Sequence, residues 1–121
     1  MPMYAAHAIM YFRFKDTVQD YFPAWENVYL IEAADGEDPE ARAIQRAKQD
    51  EGDDSGTLIC DGHPAEIVLV GIRKVISVSH RGDEDSLASG DELTYSRFLV
   101  SDKLSLDRLA KGEPVTVEYS E

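Results

Sequence analysis

The chain has 121 residues, 43% hydrophobic and 30% charged, and 24 acids stand against 12 Lys and Arg for a formal net charge of −12. That length suits one domain with one core spanning 1–121, and the hydrophobic share is too high for a disordered chain. A surface this acidic repels phosphate backbones, which argues against DNA or RNA as a partner and favours either simple solubility or a protein partner with a basic surface.

Cys60 is the single cysteine, so an internal disulfide is excluded and a reducing compartment fits. The apolar N-terminus has no basic region or clear cleavage site, and no run of about 18 apolar residues occurs. The expectation is a soluble, cytoplasmic protein with no membrane role.

Residues 4–14 alternate. Tyr4, Ala6, Ala8, Met10, Phe12 and Phe14 share one parity, which predicts a strand with a strongly apolar face. A second strand is expected over 24–34, with Trp25, Tyr29 and Ile31 on one face and Val28 and Leu30 on the other. Two strands in series with a modest connection predict an antiparallel pair. The clearest helix follows: Asp38 caps it, Pro39 takes its first position, Glu40 suits its positive end and Gly52 stops it. Ala41, Ile44 and Ala47 form a stripe of small and apolar residues, narrow enough to lie close on a sheet.

Asp61-Gly62 is a two-residue hairpin signal, because both turn positions favour positive φ. Residues 57–60 should therefore pair with a strand starting near His63, where Pro64 does no harm. Both parities are apolar from Ile67 to Ile72 except at Gly71, which predicts a central strand with a bulge at the glycine. A polar loop over 81–92 leads to a strand near 93–100. Asp102 or Ser105 caps a short helix through Leu106, Leu109 and Ala110, stopped by Gly112. Val115, Val117 and Tyr119 alternate in a last strand. The fold class is α+β: a mostly antiparallel sheet of five or six strands, one main helix on a face and a short C-terminal helix.

Several segments together resemble a bacterial family of small proteins, the domain of unknown function 4288. They are the aromatic N-terminal strand, "VYLIEA" at 28–33, "DPEARA" at 38–43, "AEIVLVGIRKVISV" at 65–78 and "DELTYSRFLVSD" at 91–102. The resemblance covers roughly the first hundred residues and leaves 104–121 as a C-terminal extension of the same domain. It implies a small α+β domain and assigns no catalytic residue.

The chemistry-bearing motifs have plainer structural readings. Cys60 and His63 form a C-x-x-H, but zinc needs three or four ligands, His7 and His80 lie on other segments, and the hairpin already accounts for the spacing. Cys60 as a nucleophile with His63 as its base lacks the electropositive surroundings that lower a thiol pKa. "DEGDDSG" at 50–56 lacks the order of a calcium loop and reads as a solvated helix end. Arg81-Gly82-Asp83 is a chance tripeptide in an acidic loop, and no phosphate-binding glycine loop is present. No metal, no cofactor and no enzymatic activity are expected.

Arg97 is different, because it sits mid-strand on one parity with Leu93, Tyr95 and Leu99. If that face is buried, Arg97 needs a carboxylate, with Glu32 and Glu66 the first candidates and Glu26 the third. If the face is open, Arg97 and Tyr95, with Arg73, would form a small anion or partner site. The leading expectation is a non-enzymatic interaction protein, such as an inhibitor or immunity protein for a basic partner, with acidic loops at 36–40, 50–54 and 83–92 steering the encounter. The alternative is a small-ligand-binding domain using the Trp25, Tyr29, Tyr95 and Arg97 region. A homodimer through an edge strand, N-terminal or C-terminal, is a further expectation.

Overall fold

A computed structural model describes residues 2–78, 89, 90 and 92–120, and for 92–95, 119 and 120 it describes the backbone alone. His80, the tripeptide at 81–83, most of the acidic loop at 83–92 and the side chain of Tyr95 lie outside the described residues. In chain order the elements are β1 (Met3–Phe14), β2 (Phe22–Glu32), α1 (Pro39–Lys48), β3 (Ile59–Cys60), β4 (His63–Val78), β5 (Glu92–Val100), α2 (Lys103–Ala110) and β6 (Glu118–Ser120). The six strands form one antiparallel sheet in the order β3-β4-β1-β2-β5-β6. The fold is α+β, as the periodicities predict.

β1 lies in the middle of the sheet, between β4 and β2. The N-terminal strand is therefore no edge and offers no seam for a dimer, which corrects that expectation; β6 is an edge. The central position explains why both parities of β1 are apolar. Ala6, Ala8 and Met10 join Tyr29, Ile31, Ala43 and Ala47 in one buried cluster, beneath α1. Ile9 and Tyr11 join Phe22, Ala24, Val100, Leu106, Leu109 and Ala110 in another, beneath α2. Successive side chains of a strand point to opposite faces, so the two helices cover opposite sides of the sheet.

α1 begins where the caps predict: the Asp38 side chain accepts from Glu40 N and Pro39 opens the helix. It ends at Gln49, not at Gly52, and its buried residues are Ala43 and Ala47, while Ala41 is exposed. An i, i+4 pair of alanines, facing Ala6 and Ala8, lets the helix lie close to the sheet. Gly52 instead exchanges two backbone hydrogen bonds with Ile67, tying the chain after α1 to the outer edge of β4.

Asp61 and Gly62 take φ values of 52° and 80° and pair Ile59 and Cys60 with Pro64 and His63, the predicted hairpin. β4 slips register against β1 twice, on either side of Gly71. A Cβ at Gly71 would touch Ala110 Cβ at 3.4 Å, so the glycine also lets α2 approach. Asp102 caps α2 by accepting from Ser105 N at 2.7 Å. Val115 and Val117 pack on the α2-side core outside any strand, and pairing with β5 begins only at Glu118. No helix among the described residues is long and apolar enough to cross a membrane.

Candidate functional site

α1 lies over the part of the sheet that carries Ala6, Ala8 and Tyr29. Beyond its C-terminus, toward the β3–β4 hairpin, the same face is open. There β1 supplies Phe12, β2 supplies Trp25, β4 supplies Ile67 and β5 supplies Arg97, around a cleft of about 740 Å3. Trp25 pairs with Arg97 across β2 and β5, so the two lie side by side on one face. Phe12 and Trp25 form the floor, their ring centroids 4.9 Å apart at 48°. Asp50, just beyond α1, and Asp61, at the hairpin turn, also line the cleft, and Asp61 Oδ2 accepts from the Tyr21 hydroxyl at 2.8 Å.

Two of the four predicted binding residues, Trp25 and Arg97, thus share this cleft, and Arg97 is exposed. Position 95 pairs with Asn27 along the β2–β5 register. Tyr29 does not line the cleft: it is fully buried in the α1-side core, so its expected binding role gives way to a structural one. Its hydroxyl donates to Asp50 Oδ2 at 2.5 Å and accepts from Asn27 Nδ2 at 2.9 Å. Arg46 lies 4.7 Å over the Tyr29 ring and reaches Asp50 Oδ1 at 3.2 Å. Burial, then the hydrogen bond to Asp50, pushes the Tyr29 phenol up, so it stays a neutral donor. This network holds the Asp50 carboxylate over the sheet, where a solvated helix end was expected. Asp50 was legible only through its place after α1, and Asn27 and Phe12 carried no signal beyond parity.

The strand register separates Arg97 from both carboxylates expected to pair with it. Glu32 is seven positions along β2 from Trp25, about 23 Å at strand rise. Glu66 lies three strands from Arg97, about 14 Å or more, and it accepts from Arg13 Nε at 2.7 Å. The third candidate, Glu26, is the carboxylate that the fold buries, at 6% exposure. It faces the α2 side and holds Arg73, which donates from Nε to Oε2 at 2.5 Å and from Nη2 to Oε1 at 3.0 Å. His7 Nδ1 lies 2.6 Å from Glu26 Oε1, and a carboxylate accepts only, so the ring proton sits on Nδ1. Burial alone would raise the Glu26 carboxyl, but the hydrogen bonds from Arg73 and His7 outweigh it and hold the group below its ordinary range. Arg73 is therefore engaged on the face away from the cleft and is not part of a site with Arg97.

Cys60 and His63 are paired across the hairpin, yet their side chains serve other contacts. The His63 ring stacks on Phe14 with centroids 4.7 Å apart, and its Nδ1 lies 3.1 Å from Asp16 Oδ1. Burial, and next the charge of Asp61, pushes the Cys60 thiol up, opposite to what a thiolate nucleophile needs. Among the described residues no group of three or more His, Cys, Asp or Glu is arranged to hold a metal ion. Comparison with family models, curated proteins and solved structures yields no match for this chain.

Proposed function

We propose that the chain is a non-enzymatic protein-interaction module, of the inhibitor or immunity type, that takes a basic segment of its partner in the cleft between α1 and the β3–β4 hairpin. The observation that carries this reading is an aromatic floor, Phe12 and Trp25, in a cleft also lined by the acids Asp50 and Asp61, on a chain of net charge −12. Aromatic faces attract cations, and acidic surroundings raise the encounter rate of a basic partner. Membership of the domain of unknown function 4288 family and a cytoplasmic location belong to the same proposal. The first is supported by the motif spans, the second by the lone, half-buried Cys60 thiol.

The cleft volume also favours a second reading, since about 740 Å3 falls within the range of small-molecule sites, roughly 300–1,000 Å3. In that reading Trp25 and Arg97 hold a small ligand and no protein partner is needed.

Affinity capture from the source cell at low ionic strength separates the two. The interaction reading expects one basic protein in stoichiometric amount, released by salt and lost with Trp25→Ala or Asp61→Lys. A captured protein indifferent to both substitutions, or no protein at all, would defeat it.

A further inference from the structure

Asn27 lines the cleft with its amide oxygen unused. The residue is 5% exposed, and it shares the cleft wall with Trp25. The Tyr29 hydroxyl has one proton and gives it to Asp50, so toward Asn27 it can only accept. That fixes the amide with Nδ2 toward Tyr29, at 2.9 Å. Asn27 Oδ1 then accepts from no group among the described residues. Among those residues no sealed side-chain nitrogen or oxygen lacks a partner, so this carbonyl oxygen keeps an opening, and the opening is the cleft. An acceptor held this deep gains from a donor brought into the cleft.

The other polar groups around the cleft are already engaged. Asp50 accepts from Tyr29 and Arg46, Asp61 accepts from Tyr21, and Arg97 has its own partner in the fold. Direct contacts with an occupant therefore fall to Asn27 Oδ1 and to the floor of Phe12 and Trp25. The net charge of −12 sets the sign of the field around them. A fitting occupant brings an N–H donor for Asn27, a flat face for the indole and a positive charge. Asn27 and Trp25 are two positions apart on one face of β2, about 7 Å, so one small group must supply both contacts. A guanidinium does so: it is planar, it stacks on aromatic faces, and its N–H donors lie in its own plane and point past the ring it covers. A lysine ammonium is a compact, strongly hydrated point charge. Placed on Asn27 Oδ1, it leaves only its methylenes for the indole.

We propose that the cleft takes an arginine side chain of the partner protein, its guanidinium stacked on Trp25 and donating to Asn27 Oδ1. This rests on the interaction reading above and names the residue of the basic segment that enters.

Trp25 is the only tryptophan of the chain, so its fluorescence reports occupancy of the floor directly. Four capped pentapeptides, with Gly and Ser around one central residue, separate the contributions. The central residue is arginine, lysine, norleucine or citrulline, the last keeping the planar N–H face without the charge. Arginine is expected to bind about tenfold or more tighter than lysine, since stacking and a charge-assisted hydrogen bond are made together. Citrulline is expected to fall below arginine by a similar factor, and norleucine to bind weakest. Added salt should weaken the arginine peptide and leave the citrulline peptide unchanged. Asn27→Ala should bring arginine down to the lysine level, with circular dichroism checking that the variant folds.

Lysine binding as tightly as arginine would overturn the arginine proposal while leaving the cleft as a site for basic segments. Citrulline binding as tightly as arginine would also overturn it, since the occupant would then be a neutral planar group. A full arginine preference in folded Asn27→Ala would remove the contact on which the proposal stands. The first two outcomes are read on the wild type and decide the matter whether or not the variant folds. No change in Trp25 emission with any probe would overturn both the proposal and the reading beneath it.

Discussion

The two faces of the sheet handle charge in opposite ways. On the α2 side a carboxylate, Glu26, is sealed at 6% exposure with both oxygens occupied by Arg73 and His7. On the α1 side a guanidinium, Arg97, lies exposed in a cleft beside an aromatic floor. Both are mid-strand charged residues among apolar neighbours, so sequence context alone treats them alike. The difference comes from where the helices end. α2 and the tail through Val115 and Val117 pack against the sheet on the first side, whereas α1 stops short of Trp25 on the other. A charge placed under cover must find its partners inside the fold, because unpaired burial is costly. A charge placed beyond the cover keeps its contact with solvent and carries no such desolvation cost.

The largest test of that contrast is Glu26→Ala. It leaves Arg73 and His7 without their shared acceptor, and loss is expected near the low end of the range for broken buried pairs, about 3 kcal/mol, because Arg73 keeps 27% of its side chain at water. Urea denaturation at neutral pH measures it. Glu26→Gln tests the charge. The folded carboxyl titrates below its ordinary 4.5, so its contribution is full above that value and is lost as pH falls through the depressed folded value. The wild type should therefore lose more stability than Glu26→Gln between about pH 5 and pH 3. Parallel pH profiles would break the comparison.

A second test concerns how α2 is held against the strand that carries Arg73. Gly112, just past α2, has φ +76°, and a Cβ there would lie 3.1 Å from the Arg73 carbonyl oxygen. Gly112→Ala is expected to cost about 1–2 kcal/mol through backbone strain and that contact. Gly71→Ala, whose Cβ would meet Ala110 at an ordinary 3.4 Å, should cost less. Denaturation midpoints of the two variants rank them.

A third test moves to the α1 side, where the polar groups beneath the cleft are uncharged or shared. Tyr29→Phe removes the hydroxyl between Asn27 and Asp50 and leaves the Asn27 amide, 5% exposed, short of an acceptor. The expected loss is about 1 kcal/mol. The floor should survive, so Trp25 emission should stay close to that of the wild type, although Asp50 loses the Tyr29 hydroxyl.

How much of this was legible in the residues follows from what each signal encodes. Parity gave the main strands and the faces of Trp25 and Tyr29, because a strand's period is local, and the Asp61-Gly62 turn gave the hairpin. Caps placed both helices, since Asp38 and Asp102 accept from backbone donors a few positions away. Parity does not say which strands are neighbours, and so Arg97 was offered Glu32 and Glu66 when the register puts Trp25 beside it. Nor does it say how far a helix reaches across a sheet. The reach of α1 leaves Tyr29 as a support under the cleft and Trp25 as its floor, and the rotation of α1 about its axis turns Ala43, and not Ala41, inward. The cleft residues Phe12, Asn27, Asp50 and Asp61 come from four separate segments, and only the assembled topology brings them together.

Glu66 closes the series with the smallest effect. In the fold it serves Arg13 on the adjacent strand, with Arg13 54% and Glu66 30% exposed at the side chain. Such a pair gains little over hydration and is weakened further by salt. Glu66→Gln should change stability by no more than about 0.5 kcal/mol, with the change shrinking as salt is added. The contrast with Glu26 is the point of the measurement. Both carboxylates accept from two nitrogens of an arginine, but Glu26 lies under cover and also holds His7. A Glu66 variant as damaging as a Glu26 variant would mean that pairing, and not burial, sets the cost on this sheet.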